Sequence, residues 1–74
     1  MKREKIEIST PFIKLDSLLK LCGEAQTGGH AKDMILDGEV KVNGEVCVQR
    51  GKKMYPGDCA ELGEVIYEVA VGED

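Results

Sequence analysis

The sequence has no tryptophan, one phenylalanine and two tyrosines among its 74 residues. A core must then be built from Val, Ile, Leu, Met and Ala, and stacking on aromatic rings is not the expected main way of holding a nucleic acid. There is one histidine, His30, and the three cysteines, Cys22, Cys47 and Cys59, form no Cys-x-x-Cys pair. That set is too sparse for a zinc site or a disulfide framework, so no metal or other cofactor is expected. Each cysteine has apolar neighbours, which points to reduced, buried thiols in a cytosolic protein. No apolar run approaches a membrane span, and the charged start Met1-Lys2-Arg3-Glu4-Lys5 leads into no signal-peptide stretch. A soluble, cytoplasmic protein without a membrane partner is expected.

What is present is ordinary globular composition, 42% hydrophobic and 32% charged, which excludes disorder as the default. Residues 1–74 are expected to form a single domain, near the lower size limit for a core without staples. The net charge of −4 speaks at first against nucleic acid. Its distribution changes that: residues 1–13 carry +1, residues 14–55 carry +1, and residues 56–74 carry −6 through Asp58, Glu61, Glu64, Glu68, Glu73 and Asp74. A basic face elsewhere on the molecule is therefore compatible with the acidic total.

Lys5-Ile6-Glu7-Ile8-Ser9 alternates as a half-buried strand does. Thr10-Pro11 breaks it and can open a helical segment. Leu15, Leu18, Leu19 and Cys22 recur at the spacing of one helix face, with Gly23 as the stop. Thr27 is a candidate N-cap for a second helix whose buried face is Ala31, Met34 and Ile35, ending at Asp37-Gly38. From Val40 to Val48 two β-forming runs flank Asn43-Gly44, the preferred two-residue hairpin turn. A strict register there puts Val40 and Val42 on one face with Glu45 and Cys47, opposite Val46 and Val48. Either a bulge shifts the register or both faces are partly covered. Gln49 to Lys53 reads as a polar, basic connection and Tyr55-Pro56-Gly57-Asp58 as a β-turn. Ala60–Leu62 and Val65–Val71 read as strands about a Gly63-Glu64 turn. The order is strand, two helices, then four short strands, an α+β domain.

Several fragments occur in a specific order: Lys14-Leu15-Asp16, Ala31-Lys32, Gly38-Glu39-Val40-Lys41-Val42-Asn43-Gly44, Arg50 to Lys53, and Pro56-Gly57-Asp58. Together they resemble the S4-like RNA-binding domain, or alpha-L motif, over residues 12–62. Phe12-Ile13-Lys14-Leu15, Gln26-Thr27-Gly28-Gly29 and Tyr55-Pro56-Gly57-Asp58 further resemble its small free-standing bacterial subgroup, labelled YaaA/YbcJ-like. The resemblance implies two short helices packed on a small, mainly antiparallel sheet, and a non-catalytic, monomeric protein bound to structured RNA, either rRNA or tRNA-like. It implies an RNA face made by the start of the first helix, the second helix and the loop after the hairpin. Position by position, that face takes Lys14, Thr27, Gly28, Gly29, His30, Lys32, Arg50, Lys52 and Lys53. Where many members carry a long polar residue near the start of the second helix, this chain has Gly28-Gly29. Two glycines supply no charge but let a phosphate approach backbone N–H groups.

Each of these residues also has a plain reading. Arg50, Lys52 and Lys53 place three positive charges in four residues, which suits phosphate but also suits a solvated loop. Lys14 and Lys32, taken singly, read as surface lysines, and His30 as a surface histidine early in a helix. The segment from Gly23 to Gly29 lacks the Lys-Ser/Thr that a nucleotide P-loop requires, which excludes that class of hydrolase. A Cys22–His30 dyad is set aside because Cys22 falls on the apolar stripe, where a thiol is inert. No enzyme is expected. The rival expectation is a protein adaptor whose acidic edge, Asp58 to Asp74, docks on a basic ribosomal protein or translation factor.

Overall fold

The computed structural model describes residues 2–72. Its elements in chain order are β1 (Lys2–Ile8), β2 (Ile13–Lys14), α1 (Leu15–Leu21), α2 (Gly28–Leu36), β3 (Val40–Val42), β4 (Glu45–Val46), β5 (Lys53–Met54), β6 (Cys59–Leu62) and β7 (Val65–Val71). Five strands form one sheet in the order β1-β7-β6-β3-β4, while β2 and β5 form a separate antiparallel pair. In the larger sheet only β1 and β7 run parallel, so it is mixed and mostly antiparallel. The two helices pack on one face of it, the α+β arrangement expected from the sequence.

The core is aliphatic. Leu15, Leu18 and Leu19 of α1, Ala31 and Ile35 of α2, and Val40 and Val69 of the sheet are fully buried, with Tyr67 almost so. Spacing on the two helices explains this: residues three and four apart face the sheet together. Both helices end as their glycines require. At the end of α2, Gly38 takes φ +77° and the Gly38 and Glu39 N–H groups donate to the Ile35 and Met34 carbonyls. This closes the two bonds of a Schellman cap.

Three details differ from the expectations. Pro11 opens no helix: residues 13–14 are extended and α1 starts at Leu15. The first strand begins earlier, at Lys2, and ends at Ile8. The basic connection ends in a strand, because Lys53–Met54 pairs with Ile13–Lys14. The hairpin question resolves without a bulge. Asn43 at φ +51° and Gly44 at φ +91° form the tight turn, with Val42 opposite Glu45 and Lys41 opposite Val46. Val40 and Val42 are buried with half-buried Cys47 beside them, while Val46 and Val48 stay 56% and 53% exposed on the other side.

Candidate nucleic-acid interface

The short ladder between β2 and β5 is what assembles the basic residues. It sets Lys14 directly opposite Lys53 and Ile13 opposite Met54. Met54 is fully buried and anchors the ladder to the core, so the neighbouring lysines are carried on backbone that cannot drift. Directly opposite side chains on an antiparallel pair start about 5 Å apart, and like charges there repel. The loop before β5 then folds over the start of α1. The Leu15 N–H donates to the Lys52 carbonyl at 2.9 Å and the Asp16 N–H to the Arg50 carbonyl at 3.1 Å. Those bonds occupy N–H groups of the first turn of α1, which leaves side chains, not the helix end, to present charge there. Lys14, Arg50, Lys52 and Lys53 thus form one exposed cluster.

The remaining expected residues form a second group at the start of α2. Thr27 is the N-cap, its Oγ1 accepting from the His30 N–H at 3.0 Å, and the His30 Nδ1 in turn accepts from the Gln26 N–H at 3.4 Å. His30 is therefore fastened into the helix cap. Gly28 and Gly29 have no left-handed backbone, and a Cβ at Gly28 meets nothing within 4 Å. Nothing in the chain's own packing calls for glycine at either position. Lys32 is exposed one turn further along the same helix.

Arg3 pairs with Glu68 at 3.2 Å and Lys41 with Glu61 at 4.0 Å, both on the sheet face turned away from the helices. Two of the acids at the C-terminal end are thereby matched by cations, and Glu73 and Asp74 of the expected acidic edge lie outside the described residues. Among the described residues, Lys14, Lys32, Arg50, Lys52 and Lys53 make no ion pair, and all five are exposed.

Two features escaped the sequence. Asn43 of the hairpin turn and Asp58 of the Pro-Gly-Asp turn clasp one another: Asn43 Nδ2 donates to Asp58 Oδ1 at 3.2 Å. The Cys59 N–H donates to Asn43 Oδ1 at 3.0 Å, and the Tyr55 N–H to Asp58 Oδ2 at 2.8 Å. The most recognisable residues of the two turns thus hold the loops in place. Second, two of the three aromatic rings meet beside the cations. Phe12 and Tyr55 have ring centroids 5.7 Å apart, and Lys53 Nζ lies 4.9 Å from the Phe12 centroid. Their positions two residues before Lys14 and two after Lys53 were the available signal.

The other titratable groups are structural. Tyr67 donates its phenol hydrogen to Glu24, and that bond together with burial holds its pKa far above the ordinary tyrosine value. Burial pushes the Cys22 thiol up as well, so little of it is thiolate at neutral pH. No helix of the described residues is long and apolar enough to cross a membrane.

Comparison with known proteins agrees with this geometry. The Probable ribosome maturation protein RlbA of Bacillus subtilis (strain 168) is 44% identical over 57 residues, covering 77% of this chain and 80% of that protein. The family described as S4 domain matches residues 6–70, from the middle of β1 to the end of the sheet. With helices, hairpin and basic loop all inside the matched span, the chain belongs to the S4 domain family.

Proposed function

We propose that this chain is a non-catalytic RNA-binding protein that recognises structured RNA, ribosomal or tRNA-like, in ribosome maturation or translation. The observation that carries the reading is the basic cluster around the β2–β5 ladder. Arg3 and Lys41 on the far face of the sheet each pair with a glutamate, whereas Lys14, Arg50, Lys52 and Lys53 are brought together without an ion pair among the described residues. The Lys14–Lys53 opposition costs stability in the free protein, and a phosphate between them removes that cost. Membership of the S4 domain family and the ribosome-maturation name of the Bacillus relative support the same reading.

In this account Arg50 pairs with phosphate through its guanidinium while Lys14, Lys32, Lys52 and Lys53 act as point charges. Gly28 and Gly29 admit a phosphate to the first N–H groups of α2, with Thr27 and His30 shaping that turn. Contacts of this kind read the shape and the 2′-hydroxyls of an RNA helix more than its base edges. Binding of a structured ribosomal RNA fragment, measured across a salt series, is expected to fall with a log–log slope near −3 to −4, for about four to five phosphate contacts. A DNA hairpin of the same sequence is expected to bind more weakly. A slope near zero removes the electrostatic basis of the proposal.

A further inference from the structure

We propose that Tyr55, backed by Phe12 and Lys53, is a stacking ledge for one unpaired base of the bound RNA, an inference that rests on the RNA-binding reading above. Tyr55 is 49% exposed, yet both its backbone N–H and its carbonyl are hydrogen-bonded. Its N–H donates to Asp58 Oδ2 at 2.8 Å, its carbonyl accepts from the Asp58 N–H at 2.9 Å, and Pro56 fixes the next residue. Asp58 is in turn bonded to Asn43. A ring on such a mount gives up little conformational freedom when a base settles on it.

The neighbours of the ring point the same way. Half-buried Phe12 lies at 5.7 Å and a 47° tilt, within the range in which two rings attract, and so props Tyr55 from one side. Lys53 leans over Phe12 rather than over Tyr55, which leaves the exposed part of the Tyr55 ring to solvent while holding a positive charge beside it. Anchoring of this segment is already supplied by Met54, which is fully buried, so the exposed area of Tyr55 is not needed to hold β5 in place. A base stacked there has its phosphate near Lys53 and Lys14, the two like-charged residues that face one another. Bases inside a duplex are covered by their neighbours, so the ledge selects a bulge, a loop or a junction over a continuous helix.

The test uses a stem-loop RNA carrying a single bulged 2-aminopurine and its fully paired counterpart, with the intact chain and the variants Tyr55→Phe, Tyr55→Ala and Tyr55→Leu. The wild type and Tyr55→Phe are expected to favour the bulged RNA and to quench the 2-aminopurine. Tyr55→Ala is expected to bind it about 5- to 150-fold more weakly, without the quench and with an unchanged salt slope. Tyr55→Leu keeps an apolar contact for Phe12 and is expected to fail in the same way, which separates stacking from folding should the alanine variant unfold. Equal affinity and equal quenching by wild type and Tyr55→Leu overturn the ledge and leave the RNA-binding reading standing. Failure of the wild type to bind either RNA overturns both.

Discussion

Replacing Asp58 with alanine removes two hydrogen bonds at once, one from the Tyr55 N–H at 2.8 Å and one from Asn43 Nδ2 at 3.2 Å. Both bonds end on the Asp58 carboxylate, and a bond to a charged acceptor contributes about 1.5–3 kcal/mol when shielded from water. Asp58 is only half-buried, so solvent screening reduces each to about 1 kcal/mol and the expected loss is about 2 kcal/mol. A domain of this size has a total stability of roughly 4–11 kcal/mol, so such a loss lowers the melting temperature by about 8–16 °C. The assay is thermal denaturation by circular dichroism of wild type, Asp58→Ala, Asn43→Gly and the double variant. Asn43→Gly is the suitable partner because glycine keeps the φ of +51° without strain while deleting the side chain. If the clasp is as described, the double variant loses less than the sum of the singles, by about 0.5–1.5 kcal/mol. Strict additivity, or a melting temperature for Asp58→Ala within about 2 °C of wild type, refutes the reasoning.

Gly28→Ala and Gly29→Ala are expected to raise stability by about 0.4–1 kcal/mol each, since neither site has positive φ, while weakening RNA binding; thermal melts and binding titrations measure the two effects separately. Met54→Ala should cost about 2–5 kcal/mol by opening a cavity beneath β5, read from urea denaturation. Because its bond to Glu24 and burial raise the Tyr67 pKa in the folded state, the stability that group contributes is intact below its ordinary value near 10 and is lost as pH climbs beyond it. Tyr67→Phe should flatten that alkaline decline in denaturation midpoints. Alkylation of Cys22, followed by mass spectrometry at pH 8, should be slower than that of the same thiol after unfolding in urea.

What was legible in the sequence was local. Leu15, Leu18 and Leu19 announce α1 by spacing, Thr27 and Gly38 bracket α2, and Asn43-Gly44 sets the hairpin. What was not legible depends on distant pairing. A two-residue ladder such as Ile13–Lys14 with Lys53–Met54 has no room for a period, so the run of cations hid its strand. The parallel neighbourhood of β1 and β7 joins the two ends of the chain and leaves no local mark. Nor does sequence reveal which charges find partners: Arg3 and Glu68 lie 65 residues apart and meet only through that pairing. The low aromatic content likewise gave no sign that Phe12 and Tyr55 would meet.

The central claim, that the cluster on β2 and the loop leading into β5 grips RNA, is tested most directly by crosslinking and sequencing of RNA bound in cells. Wild type is compared with the variant Arg50→Glu, Lys52→Glu, Lys53→Glu, whose reversed side chains are all exposed and leave the Arg50 and Lys52 carbonyls free to cap α1 as before. The account predicts recovery of a defined ribosomal or transfer RNA with wild type and its loss with the variant. Absence of any enriched RNA, or enrichment that survives the charge reversal, would contradict it and turn attention to a protein partner for the acidic edge.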